Sequence, residues 1–137
     1  MEKKAGSCSC GQVRFEAAGV PNRVGICHCF TCRKFTGAAF GTFAIYPASA
    51  VTIQGEVSEF KSSITGRRYR CSACGGPVYE QDQGDEAEIE LLIGTFDECD
   101  LFAPGYELWV SRREGWLPVL PTILDRHERN RSDETAT

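Results

Sequence analysis

Seven of the chain's eight cysteines fall into three tight groups, and this grouping constrains the fold more than any hydrophobic pattern does. Cys8 and Cys10 stand near the start, Cys27, Cys29 and Cys32 follow, and Cys71 and Cys74 come further on, trailed by Gly75 and Gly76. The segment around MEKKAGSCSCGQ carries charge but no apolar stretch of the kind a secretory leader has. A reducing, cytoplasmic setting is therefore expected, and disulfides rarely persist there. A chain of 137 residues also buries roughly two-thirds of its unfolded surface without covalent staples. Metal ligation is thus the first reading of the cysteines. Two thiolates separated by one or two residues grip a single Zn²⁺ with sulfurs at about 2.3 Å. Glycines beside the pairs (Gly11, Gly75, Gly76) let the backbone turn around the sulfurs.

The seven cysteines divide as four plus three. Cys27, Cys29 and Cys32 lie within six residues and form a compact tripod. Cys8, Cys10, Cys71 and Cys74 are left to build a closed four-thiolate site that clamps the N-terminal segment to the region around residue 70. Such a site contributes folding energy directly, on the order of 10 kcal/mol. The tripod keeps a fourth position for water or substrate, the usual arrangement of a catalytic zinc. Two zinc ions per chain are expected, and no run of ligands suits an iron–sulfur cluster. Other readings stay open: buried reduced thiols for the first set, and for the tripod a redox-labile cluster or closure by another residue. His28, between two ligands in an extended segment, is expected to point away from them. Cys99 has no paired ligand nearby and reads as a loop thiol.

The rest of the chain predicts one mainly-β domain of short antiparallel strands organised around the zinc sites. Val13, Phe15 and Ala17 alternate with polar neighbours, as do Val51 and Ile53, while Ile89, Leu91 and Ile93 do so around a Leu92 that asks for cover on both faces. Further strands are expected over 38–45, 67–70 and 108–110, with one or two helical turns over 30–35. The domain is expected to end near residue 124, before a charged tail over 125–137 with almost nothing to bury. No run approaches the roughly 18 apolar residues a membrane span needs. A formal net charge of −4 argues against a dedicated nucleic-acid binder. Arg67, Arg68 and Arg70 read as a solvated strand face, and Trp109 and Trp116 as core or rim aromatics.

Four ordered motifs resemble those of the glutathione-dependent formaldehyde-activating enzyme (GFA) family, whose zinc domain is shared with proteins named after centromere protein V. They are Cys8-Ser9-Cys10-Gly11-Gln12-Val13-Arg14-Phe15, Cys27-His28-Cys29-Phe30-Thr31-Cys32-Arg33-Lys34 with Gly37, Cys71-Ser72-Ala73-Cys74-Gly75-Gly76-Pro77-Val78, and Gly94-Thr95-Phe96-Asp97. The similarity runs from about Gly6 to Trp116. It implies a β-tent fold, a structural zinc on Cys8, Cys10, Cys71 and Cys74, and a second zinc on Cys27, Cys29 and Cys32 where a glutathione sulfur binds. It also implies carbon–sulfur lyase activity that interconverts S-hydroxymethylglutathione with glutathione and formaldehyde.

The chemistry suits the residues. A zinc held by three thiolates is a weak Lewis acid that keeps a bound thiol as nucleophilic thiolate, which favours adduct chemistry over hydrolysis. Arg33 and Lys34 follow the tripod and are the expected contacts for an anionic thiol such as glutathione. The sequence marks no clear proton acceptor; Asp97 and His28 are candidates. The rival reading is a non-catalytic zinc module that binds a partner or senses thiols and aldehydes.

Overall fold

The computed structural model describes residues 1–131. Eleven strands and one short helix follow in the order β1 (Lys3–Ser7), β2 (Arg14–Ala18), β3 (Arg23–Cys27), α1 (Phe30–Thr36), β4 (Gly41–Pro47), β5 (Val51–Gln54), β6 (Val57–Lys61), β7 (Gly66–Cys71), β8 (Pro77–Asp82), β9 (Asp85–Leu92), β10 (Tyr106–Leu108) and β11 (Asp125–Arg126). They form a three-stranded sheet in the order β1-β2-β5 and an eight-stranded sheet in the order β11-β10-β3-β4-β9-β8-β7-β6. The mainly-β, single-domain expectation holds. Neighbouring strands are antiparallel except at one edge, where β10 runs parallel to both β3 and β11. No described helix is long and apolar enough to cross a membrane.

The alternation in the sequence explains how the layers meet. Val13, Phe15 and Ala17 are fully or almost fully buried and pack from the small sheet onto Ala44, Tyr46, Ile89 and Leu91 of the large one. The intervening β4 residues, Phe43 and Ile45, point the other way and join Leu92, Phe35, Cys27 and Cys32 in a second apolar cluster. Strand β4 is therefore covered on both faces, and so is the end of β9, where Leu91 and Leu92 are both buried. The first cluster contains Cys8 and Cys71, the second Cys27 and Cys32. Each cysteine group thus belongs to its own side of the large sheet.

The C-terminal edge departs from expectation. The strand anticipated over 108–110 lies at Tyr106–Leu108, because Trp109 takes a left-handed φ of 57° and turns the chain into a single 3-10 turn. The segment expected to fray is folded in its described part. Strand β11 pairs with β10, His127 is buried, its N–H donates to the Glu107 carbonyl at 2.9 Å, and Trp109 Nε1 donates to Asn130 Oδ1 at 2.8 Å. Residues 132–137 of that expectation lie outside the described residues.

One buried carboxylate ties this edge together. Glu107 accepts from Arg113 Nε at 3.1 Å and Arg126 Nε at 3.0 Å and meets His28 Nε2 at 2.6 Å. Burial alone would raise the Glu107 carboxyl, but these three partners outweigh it and hold the group below the usual carboxylate range. Removing one member of a buried charge cluster strands the others, typically at about 3–5 kcal/mol. Glu107→Ala is accordingly expected to lower stability by about that amount in denaturant melts, with Glu107→Gln milder; a melt equal to the parent's would show that the cluster does not hold β10.

Candidate metal centres and the cleft beside them

The first cysteine group is built from two turns. Cys8 follows β1, its N–H donating to the Val13 carbonyl at 3.0 Å, and the Gly11 N–H returns to the Cys8 carbonyl at 3.1 Å. Cys71 ends β7, and the Gly75 N–H returns to its carbonyl at 2.9 Å. Gly11 and Gly75 take φ values of 79° and 74°, the left-handed conformation such a return requires. The turns aim backbone donors at sulfur: Val13 N–H at Cys8 Sγ (3.3 Å), Ala73 and Cys74 N–H at Cys71 Sγ (3.3 and 3.4 Å), and Gly76 N–H at Cys74 Sγ (3.4 Å). Amides directed at sulfur favour the thiolate.

The four sulfurs lie within 4.8 Å of one another, with Cys8–Cys10 at 3.6 Å and Cys10–Cys71 at 3.7 Å. A tetrahedron with metal–sulfur bonds of about 2.3 Å has edges of about 3.8 Å, so the set fits one metal ion.

The second group sits where β3 runs into α1. Cys27 is the last residue of β3, Cys29 caps the helix with its sulfur accepting from the Cys32 N–H at 3.2 Å, and Cys32 lies in the first turn. Their sulfurs are also within 4.8 Å of one another. The three thiols of the tripod differ in their hold on a proton. Hydrogen bonds from Cys27 and Cys32 hold the Cys29 thiol down to about 2, the contact with Cys29 pushes Cys27 up to about 12, and contacts with Cys27 and then Cys29 push Cys32 far above the ordinary thiol range. Such a cluster calls for a cation before all three sulfurs can ionise, which is the fit expected of a metal tripod.

His28 points away from the tripod, as its place in an extended segment predicts, and spends its Nε2 on Glu107. Cys99 is exposed and belongs to neither group. Asp97 lies in a different hollow, with Cys8, Thr36 and Phe96. The cations after the tripod part ways. Arg33 is committed to Glu114 at 2.5 Å and to the Arg112 carbonyl, whereas Lys34 lines a hollow with Phe35, Phe60, Arg68 and Arg70. Trp109 is half-buried on the rim of the tripod cleft; Trp116 is 71% exposed.

The basic strand face is the main correction to the site. Arg67 and Arg68 are buried, each only 9% exposed, rather than solvated. Arg68 Nη2 donates to Cys32 Sγ at 3.6 Å, its Nη1 is paired with Glu80, and its guanidinium lies 5.3 Å from the centre of the Phe35 ring. Arg70 caps the same ring at 4.7 Å and donates to the Phe35 carbonyl at 2.6 Å. The tripod opens onto two adjoining spaces, a recess of about 160 Å³ reached by Cys27, Cys29 and Cys32, and a cleft of about 410 Å³ that shares Cys29. Arg68, Glu80 and Glu90 line both. The alternation of Arg67-Arg68-Tyr69-Arg70 against Tyr79-Glu80 held this signal, but it is indistinguishable from an exposed polar face until α1 is placed over it.

The two groups differ in sequence reach, and so their loss should differ. Cys8 and Cys10 join Cys71 and Cys74 across the two sheets, whereas the tripod is local. Cys71→Ala is expected to unfold or aggregate the protein, and Cys29→Ser to leave it folded with one metal ion fewer, by thermal melt and elemental analysis. The opposite pattern would exchange the two roles.

Comparison with known proteins agrees with this layout. A curated relative, an uncharacterized lyase of Schizosaccharomyces pombe, is 28% identical over 79 residues, which is 58% of this chain and 58% of the relative's length. A Rhodobacter sphaeroides protein of known crystal structure superposes with a TM-score of 0.58 at 19% identity, covering 71% of this chain and 91% of that one, and so shares the fold. The family model described as glutathione-dependent formaldehyde-activating enzyme matches residues 3–112, which contain all seven clustered cysteines, and the chain belongs to that family.

Proposed function

We propose that this chain is a zinc-dependent carbon–sulfur lyase acting on an adduct between an aldehyde and glutathione or a related thiol. The observation that carries the reading is a three-sulfur group that faces a cleft instead of being closed by a fourth protein ligand among the described residues. Cys8, Cys10, Cys71 and Cys74 would hold one zinc for structure, and Cys27, Cys29 and Cys32 a second. Bound there, the second zinc supplies a site at which a thiol is kept as thiolate at neutral pH. Membership of the family and the lyase name of the yeast relative support the same class of reaction.

The chain's own residues do the remaining work. Arg68 donates to the Cys32 sulfur and offsets charge beside the tripod. Lys34, in a hollow with Arg68 and Arg70, supplies attraction for the carboxylates of a glutathione-like substrate. Arg33, neutralised by Glu114, contributes less to that attraction. Phe35 and Phe43, both buried, limit water behind the sulfurs.

The reading is tested by titrating zinc-loaded protein with glutathione and with S-methylglutathione. Glutathione is expected to bind more tightly, with affinity falling as salt rises, because exposed charge attraction is screened over about 10 Å at 0.1 M. Lys34→Ala should weaken binding modestly, and Cys32→Ser should abolish it. Equal affinity for the two ligands would mean that the sulfur does not reach the tripod, and the non-catalytic module would then be the better account.

A further inference from the structure

The reaction proposed above needs a group that takes a proton from the adduct's hydroxyl, and the large sheet places a pair of acids beside the tripod. Arg68, Glu80 and Glu90 occupy one row across β7, β8 and β9: Arg68 is the register partner of Glu80, and Glu80 of Glu90. Directly opposite side chains on one face have Cβ atoms about 4.5–5.5 Å apart, within reach of a shared hydrogen bond between carboxyl groups. The row continues to Ile45 of β4, which belongs to the apolar cluster around Cys27 and Cys32. The two carboxyls therefore face the tripod side of the sheet. Both line the cleft that contains Cys29 and the recess that contains all three sulfurs.

Charge counting on this face leaves one proton to be held. Glu80 and Glu90 bring two negative charges when ionised, and Arg68, paired with Glu80, offsets only one. Like-charged carboxylates that share a half-buried site do not both ionise readily. The groups around Glu80 are Arg68 from β7, Glu90 from β9, and Cys29 and Cys32 from the α1 end, with Tyr106 of β10 beyond Glu90. Burial first, and then Glu90, push the Glu80 carboxyl well above the usual range, against the pull of Arg68.

We propose that Glu80 and Glu90 act together as the proton acceptor and donor of the lyase reaction, with Arg68 as the positioning residue that fixes Glu80. This rests on the lyase reading above. In the cleavage direction, the ionised carboxyl of the pair removes the hydroxyl proton of the S-hydroxymethyl adduct. The oxygen pair forms the C=O bond, the C–S bond breaks with its electrons on sulfur, and formaldehyde and thiolate separate. The proton rests on the carboxyl pair until solvent takes it. In the reverse direction the thiolate attacks formaldehyde, and the pair returns the proton to the new alkoxide oxygen. Atoms and electrons balance with no further reactant.

Glu90→Gln is the primary test, because it leaves the Arg68–Glu80 ion pair intact and changes one atom. Glu80→Gln is the second variant. A positioned acid–base group contributes about 10²–10⁴-fold, so kcat for cleavage of S-hydroxymethylglutathione is expected to fall at least about 100-fold in each. Glutathione affinity and zinc content should stay at the parent's level. A readout independent of turnover is a pH titration of the protein with ¹³C-labelled glutamate side chains. It should show two carboxyl signals, absent singly from the two variants, titrating as a coupled pair, with the remaining one shifting to lower pH in Glu90→Gln. An active parent with both variants equally active, or two carboxyls titrating independently in the ordinary range, overturns the proposal. A parent inert toward the adduct that also fails to bind glutathione instead overturns the lyase reading, and this proposal falls with it.

Discussion

Closure of four sulfurs from two distant turns is the constraint on which the architecture depends. The Cys8–Cys10 turn leaves the three-stranded sheet and the Cys71–Cys74 turn leaves the eight-stranded one, and their sulfurs come within 4.8 Å of one another. Four thiolates at that spacing would repel unless a cation lay among them, so the amide donors aimed at the sulfurs suit a group that could hold a metal ion. The apolar core between the sheets, centred on Phe15, Tyr46, Leu91 and Phe96, is continuous with Cys8 and Cys71. The hydrophobic core and the four-sulfur group thus meet between the same two layers.

On the other side of the large sheet the same logic serves a different end. Strand β4 sends Ala44 and Tyr46 to the core and Phe43 and Ile45 to the tripod, so one strand's alternation separates the four-sulfur face from the tripod face. The tripod face is unusual in what it gathers: a buried arginine, its half-buried glutamate partner and a second half-buried glutamate, beside cysteine sulfurs. Burial of the Arg68 guanidinium is costly unless it is paired, and its contacts to Glu80 and Cys32 provide that pairing.

Much of this was legible in the sequence because cysteine spacing reports directly on ligand geometry and period-two alternation reports on half-buried strands. Val13, Phe15 and Ala17 illustrate the second signal, and the Phe30–Thr36 helix follows a cysteine turn as expected. The acid–base row was not legible. Tyr79-Glu80-Gln81 and Glu88-Ile89-Glu90 look like strands with a wet outer face, and only the tertiary placement of the tripod beside Glu80 and Glu90 half-buries it. The C-terminal edge was missed for a related reason. Asp125-Arg126-His127 has no apolar residue, and its order comes from backbone pairing with β10 and from the Arg126–Glu107 ion pair, which join residues 19 apart.

The separation of the two cysteine groups onto opposite faces has an evolutionary meaning. A scaffold whose folding depends on sulfurs remote from its cleft can exchange cleft residues without losing its ability to fold. Glu90, Lys34 and Trp109 all lie on or near the cleft side, and none contacts the four-sulfur clamp. Substitution at such positions would change what the cleft accepts while the fold persisted. Lineages built on this plan are therefore free to diverge in chemistry faster than in shape, as expected where function is grafted onto a fold.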